Sequence, residues 1–375
     1  MPIYKQNKKK DGKTQYKVVV CYTDNQGNNK QIARLVYGLD QAKETERALS
    51  LEIKNKTLSS NITLEELYNE YLAAKKHEVR KTSYVKSISV LKNHVLNTDL
   101  AKCHLNKLSM PQLQKWKNNV GKKDIKVSTK NNAIKEFKAM LNYAVKMEYI
   151  PKNPIIKLGR FNEPYFETKR DKLRYYTPEQ FKAYINAAKE TRSNLTDYGC
   201  YVFFNIAYYT GMRKGEINAL KWSDLEGNVI HVRRSICQKV KSDDGNYEET
   251  PPKNKSSYRD LQMPDNLIKI INEYKDVLKK NVGYNENMRL CGGISVITDT
   301  NLENHNIKYA ELAGLPHIRI HEFRHSHASL LCNAGINIQE VARRLGHADV
   351  SMTWNTYAHL YPQEEEKALE ILNNI

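Results

Sequence analysis

Residues 317–361 constrain this chain more than any other stretch. His321 and Arg324 are three residues apart, a spacing that puts both side chains on one face of a helix. Ile338, Val341, Ala342 and Leu345 then repeat at helical spacing. Gly346 ends the repeat and His347 follows it. Tyr357 lies ten residues further on, in a short segment closed by Pro362. Two imidazoles, a guanidinium and a phenol form a toolkit for a phosphate. Arginine forks onto phosphate oxygens with two hydrogen bonds. Histidine donates a hydrogen bond or moves a proton near neutral pH. A tyrosine can attack phosphorus and form a covalent ester. A second arginine, Arg213, stands upstream in TGMRKGEI (210–217), after a glycine and before a helical pattern.

TGMRKGEI, HEFRH, LGH and NTYAH follow one another in this order over about 150 residues. Four ordered boxes are specific where one would not be. On them the chain resembles the tyrosine recombinases, the integrases of temperate phages and conjugative elements. Glu322-Phe323 replaces a commoner Asp-Leu, which touches no position expected to be catalytic.

The charge is divided unevenly. Residues 1–56 hold 12 Lys and Arg against 6 Asp and Glu, residues 61–174 hold 24 against 11, and residues 175–375 hold 24 against 25. The whole net charge of +18 therefore belongs to the first 174 residues. Such a concentration favours a polyanionic partner such as nucleic acid over a merely solvated surface. The six cysteines contain no Cys-x-x-Cys pair, which argues against a zinc ribbon or a disulfide framework and for a reducing cytosol. No signal peptide is visible, and the longest apolar run, Tyr201–Tyr209, is far shorter than the ~18 residues of a membrane span.

These patterns predict an α+β, multidomain chain. Lys13–Thr23 and Lys30–Gly38 read as strands around a turn cluster at residues 24–28. Asp40 is placed to cap a following helix that packs through Ala42, Ala48, Leu49 and Ile53. Thr63 and Glu66 form a capping-box pattern before Leu64, Leu67, Tyr68 and Tyr71. Further helices are expected at about 82–96, 110–119 and 128–148, with Lys122, Lys123, Lys126 and Lys130 on loops and outer faces. Pro151 and Pro154 end this block. Thr177-Pro178-Glu179 opens the last domain. There, Val229–Ile236 and Glu248–Leu261 read as a hairpin with its tip at 241–246. Asp265–Lys280 is an amphipathic helix, and residues 283–302 are expected to form a loop over the site.

The resemblance assigns these parts: an arm-type DNA-binding domain at 1–56, a small three-stranded sheet plus helix; an all-helical core-binding domain at 62–155; a linker at 156–174; and a mostly helical catalytic domain with a small antiparallel sheet at 175–375. It implies a site-specific recombinase (integrase) that binds double-stranded DNA at core and arm attachment sites and cleaves and rejoins it through a 3′-phosphotyrosyl intermediate, integrating and excising a mobile element. Tyr357 is the nucleophile it implies. The phosphotyrosine conserves the bond energy, so neither a metal nor any cofactor or ATP is called for. A phenol is only about 0.1% ionised at pH 7. Arg213 and Arg324 would supply a positive field, His321 would handle the proton at the nucleophile and His347 would hydrogen-bond the phosphate. A hairpin lysine would protonate the leaving 5′-oxygen; Lys253 fits best, with Lys255 the alternative on the same strand face. The expected assembly is a homotetramer on DNA in a bacterial cytoplasm, associated with the nucleoid, with an excisionase and a host DNA-bending protein as further partners and no membrane. The tail, Gln363–Ile375, would dock on a neighbouring protomer or fold back on its own domain. His325, His327 and His359 are left as structural residues.

Two readings compete. His321-Glu322-Phe323-Arg324-His325 also matches H-E-x-x-H, a zinc-protease pattern in which Glu322 would activate water. Ile338–Gly346 followed by Val350–Tyr357 also looks like the helix-turn-helix of a regulator. Neither accounts for Arg213 in its box. Within the family, a chromosome-dimer resolvase would begin with the helical domain, so the extra basic sheet favours an integrase.

Overall fold

A computed structural model of the protein describes residues 3–23, 29–57, 62–162, 173–241, 247–252, 255–281, 283–361, 369, 372 and 373. The chain divides into two compact units, Met1–Thr168 and Lys169–Ile375.

The first unit begins with strands β1 (Ile3–Lys10), β2 (Lys13–Thr23) and β3 (Asn29–Tyr37), antiparallel in that order. Lys10 pairs with Lys13 across a two-residue turn, and Val18 lies opposite both Ile3 and Arg34. Helix α1 (Leu39–Thr57) covers one face of the sheet, with Val18, Ala42 and Leu49 buried between them. Asp40 lies inside the first turn of α1 and does not cap it. Ala48 is exposed, because its position turns it away from the sheet. The side chain of Ile53 and the turn at residues 24–28 lie outside the described residues.

Helices α2 (Leu64–Glu78), α3 (Lys81–Leu91), α4 (Met110–Gly121) and α5 (Val127–Lys146) follow. The capping box forms as the sequence requires. The Thr63 hydroxyl accepts from the Glu66 N–H at 3.2 Å, and the Glu66 carboxylate accepts from the Thr63 N–H at 2.7 Å. Leu64, Leu67, Leu113, Trp116 and Phe137 build the core, and Trp116 meets Phe137 edge-on at 5.0 Å. A turn of π-helix at Lys92–Leu96 presents the His94 carbonyl to the Trp116 indole N–H. Residues 156–162, expected in the linker, belong to this unit. Leu158 is buried in its core, and Asn131 donates to the Phe161 carbonyl at 3.0 Å. Residues 163–172 lie outside the described residues.

The second unit contains α6 (Pro178–Glu190), α7 (Leu195–Thr210) and α8 (Lys214–Ala219), then β4 (Leu225–Glu226), β5 (Val229–Val232), β6 (Ser235–Lys241), β7 (Tyr247–Thr250) and β8 (Arg259–Gln262). Five helices close it: α9 (Asp265–Asn281), α10 (Asp299–Leu312), α11 (Glu322–Asn333), α12 (Ile338–Leu345) and α13 (Val350–Tyr357). Thr177 caps α6 with Pro178 at its start. Helix α7 is apolar all round because it runs through the middle of the core, with Phe203 and Phe204 fully buried. The expected hairpin is two separate pairings. β5 pairs with β8 and β6 with β7, the pairing changing partners after Val232, with β7 ending at Thr250 and β8 beginning at Arg259. The loop expected over the site instead lies on the core. Cys291 is buried and its carbonyl accepts from the Tyr274 hydroxyl of α9.

Phe137→Ala removes the partner of Trp116 from the first unit's core. It should cost about 3–5 kcal/mol, the usual range for such truncations, read as a lower denaturation midpoint followed by tryptophan fluorescence.

Candidate active site

The site is built from helix ends. Helices α7 and α12 both stop at a glycine in the left-handed conformation, Gly211 (φ 65°) and Gly346 (φ 66°). A side chain cannot replace either hydrogen easily. A Cβ on Gly211 would lie 2.6 Å from the His327 ring, and one on Gly346 would lie 3.0 Å from the Arg259 guanidinium. The carbonyls left over at these ends face arginines. Arg324, on the first turn of α11 and 3% exposed, donates to the Gly211 carbonyl at 2.7 Å and to the Leu345 carbonyl at 2.5 Å. Arg213, at the start of α8, donates to the Gly346 carbonyl at 3.3 Å. Cations at helix C-termini are where the helix dipole favours them.

Glu216 holds the arginines in place. It is buried, accepts from Arg213 at 2.9 Å and from Arg259 at 2.8 Å, and closes the α8 capping box with the Arg213 N–H. Arg259 also donates to the Arg344 carbonyl at 2.7 Å. Burial works to raise the Glu216 carboxyl, but Arg259 and Arg213 hold it below the usual range. One carboxylate thus faces three guanidiniums, and the cluster keeps a surplus of positive charge. Arg324 is pushed down to about 9 by burial and by Arg213, and remains protonated at pH 7.

The imidazoles sit around this charge. His347 Nδ1 lies 2.8 Å from the Thr353 hydroxyl. Burial and then Arg324 and Arg213 push it down to about 4, so it is neutral at pH 7. His321 lies at the head of α11. The residue is exposed overall, yet its ring is crowded by protein and by His325, Arg324 and Arg213, which push it down to about 4. His327 is structural, as its place in the sequence implies. It donates to the Tyr208 carbonyl and accepts from Arg344, tying α11 to the end of α7.

Tyr357 closes α13 and is 2% exposed, packed with Ala328, Cys332, Val341 and Leu345. Its hydroxyl lies 2.5 Å from His325 Nδ1. Burial raises the phenol, with Arg324 opposing. Of the six predicted site residues, the fold gathers Arg213, His321, Arg324, His347 and Tyr357 around α11, α12 and α13. Lys253 lies outside the described residues; Lys255 begins a short 3-10 helix and is exposed. Glu216, Arg259, Thr353 and His325 were not legible as site residues. Only Glu216 carried a local signal, its capping-box place three residues after Arg213. The competing readings fare poorly. Glu322 is bound by Arg319 through both carboxylate oxygens, and His325 is on Tyr357, so neither is disposed as H-E-x-x-H requires. A helix–turn–helix geometry is present, but its second helix turns Thr353 and Tyr357 into the domain.

Helix ends thus deliver guanidiniums, imidazoles and a tyrosine to one place, a set of groups suited to phosphoryl transfer. Residues 174–364 match the Phage integrase family, and residues 63–120 match the phage integrase N-terminal SAM-like domain. The chain belongs to the phage integrase family and is a site-specific tyrosine recombinase of the mobile-element kind. It is 28% identical over 400 residues to a XerC-like tyrosine recombinase of Caldanaerobacter subterraneus subsp. tengcongensis, covering 99% of each chain. Its fold matches a Tn1549 transposon integrase in complex with circular intermediate DNA (TM-score 0.63, 20% identity, 84% of this chain and 100% of that one). It also matches a lambda integrase tetramer bound to a Holliday junction (TM-score 0.56, 15% identity, 92% and 94%). Among the described residues, no helix is long and apolar enough to cross a membrane.

Glu216→Gln should cost about 3 kcal/mol, as breaking a buried pair does, measured by urea denaturation at pH 7. The carboxyl is lowered in the fold. The wild-type advantage over this variant should therefore be complete above about pH 4.3, the unfolded value, and shrink as pH falls below it. His321, His327 and His347 act in the same direction at higher pH. The unfolded chain takes up their protons near pH 6.5 while the fold resists until about 4, about 3 and about 4 respectively. Stability should thus already decline between pH 6.5 and 4, and His327→Gln should flatten part of that decline.

Proposed function

We propose that this recombinase binds double-stranded DNA at core and arm attachment sites and cuts and rejoins it through Tyr357. The observation that carries the reading is the Arg213–Arg324 pair. Both guanidiniums are fixed by carbonyls of the LGH turn, and their charge is only partly offset by Glu216. Such a cluster is organised for an anion before the anion arrives. It gains most from the transition state, where negative charge on the non-bridging oxygens grows. His347, neutral and steadied by Thr353, would add a hydrogen bond to the phosphate. His321 would carry proton traffic at the open side of the site.

The leaving 5′-oxygen would take its proton from Lys253, with Lys255 the alternative. The net +18 charge, carried wholly by residues 1–174, supports two further contacts with duplex DNA: arm sites for the basic sheet and the crossover core for the helical block. Strand exchange between two duplexes requires four cleavages, hence four tyrosines. A homotetramer supplies them, and the tetrameric lambda neighbour supports that assembly. An excisionase and a host DNA-bending protein are the further partners we infer, and the bacterial nucleoid is the place of action. The domain roles are arm-binding at 1–56, core-binding at 62–155 and catalysis at 175–375.

The test is a nicked duplex carrying the element's attachment core, which loses its 5′-hydroxyl fragment on cleavage and traps the covalent complex. Wild type should give a DNA-linked band that survives a chelator. Tyr357→Phe should give none while still shifting the DNA in a gel. Arg324→Ala should slow linkage by two to three decades. A band abolished by the chelator would return the H-E-x-x-H reading.

A further inference from the structure

From its place in the sequence His325 reads as structural. In the fold it is the group that touches the nucleophile. Tyr357 reaches from α13 across α11, and its hydroxyl stands 2.5 Å from His325 Nδ1, the two rings 5.7 Å apart. His321, one helical turn earlier on the same face, meets His325 edge-on at 5.4 Å. Tyr357 is 2% exposed, so bulk water has little access to its proton. In the tautomer whose Nε2 carries the ring hydrogen, Nδ1 accepts from the phenol.

We infer that His325 is the immediate proton acceptor for Tyr357. As the phenol oxygen bonds to phosphorus, its hydrogen passes to Nδ1. The P–O5′ bond breaks, and its electron pair leaves with the 5′-oxygen, which takes a proton from the hairpin lysine. In rejoining, the 5′-hydroxyl attacks phosphorus and gives its proton back to the lysine, the bond from phosphorus to the tyrosyl oxygen breaks, and His325 returns the proton to the phenolate. His321 stands between this pair and solvent. This inference rests on the reading of Tyr357 as nucleophile.

The surroundings favour transfer only when DNA is present. The charged and titratable groups around His325 are His321, Glu322 and Arg324 on α11, Arg319 in the turn before it, and Tyr357 from α13; Arg174 acts on Glu322. Burial lowers the imidazole, Glu322 raises it, and Arg324 and Arg319 lower it further, leaving it below its ordinary value and neutral at pH 7. Burial likewise keeps the phenol protonated. In the free protein the pair is therefore neutral. A phosphodiester seated on Arg213 and Arg324 offsets the positive field that opposes an imidazolium, and so makes the transfer easier.

Full-length wild type, His325→Ala and His325→Asn are compared for single-turnover covalent linkage on the nicked attachment-core duplex between pH 6 and 9, with Tyr357→Phe as control. Asparagine places an acceptor oxygen near the Nδ1 position without its basicity. Both His325 variants should bind DNA as wild type does, yet link about 100-fold more slowly, the lower end of general-base effects. Their rates should rise with pH where wild type levels off. A difluorotyrosine at position 357, whose phenol ionises at lower pH, should restore much of the loss. Wild-type rates in His325→Asn, or a loss that neither pH nor difluorotyrosine relieves, would overturn the inference and leave His325 a packing residue. A wild-type protein that forms no link, or a Tyr357→Phe protein that does, would instead overturn the reading of Tyr357, and this inference with it.

Discussion

Everything in the second unit that bears on the candidate site depends on one interaction, the bonding of the Arg324 and Arg213 guanidiniums to the carbonyl ends of α7 and α12. A helix C-terminus leaves carbonyls without intrahelical partners. Burying them uncompensated would be costly. Arg324 bonds a carbonyl at each of the two ends and Arg213 a second carbonyl at the end of α12, so the arginines are structural ties as well as charges. Glu216 makes the arrangement tolerable by pairing two of the three guanidiniums. The same bonds that close the fold therefore hold the arginines of the proposed anion site in place, which would leave little reorganisation for the moment of reaction.

That positive surplus sets the state of the neighbouring groups. His321 and His347 are held neutral by burial of their rings and then by neighbouring cations, so they add no charge to the cluster. Tyr357 is held protonated by burial although Arg324 favours its anion. The free enzyme is thus electrostatically at rest. An incoming phosphate changes the balance for all of these groups in the same sense, because it brings the negative charge the cluster lacks.

The division of labour along the chain follows from charge. The catalytic half is almost neutral overall, and only a few of its cations, Arg213, Arg259 and Arg324, form the cluster at the site. The first 174 residues carry the excess. Long-range attraction to a polyanion and short-range stabilisation of one phosphate are different tasks. Many solvated lysines suit the first, and a few arginines withdrawn from water suit the second.

The sequence by itself determined the local pieces: the Thr63 and Thr177 caps, the all-round apolar α7, the amphipathic α9, and the boxes holding Arg213, His321, Arg324, His347 and Tyr357. Each is written within a few residues, where helical spacing and capping chemistry act. It also misplaced what depends on distant neighbours. Residues 156–162 read as a polar linker, yet Leu158 and Phe161 find partners on α4 and α5. The run at 229–236 read as one strand, yet its two halves pair with different strands. Only the tertiary structure decided that Glu216 bridges Arg213 and Arg259, that the LGH box is the carbonyl anchor of two arginines, and that His325 rather than His321 meets Tyr357. These partners are separated by 21 to 133 residues, except for Arg213 and Glu216 themselves. No local periodicity encodes such a meeting; it exists only once α7, α11, α12 and α13 have packed.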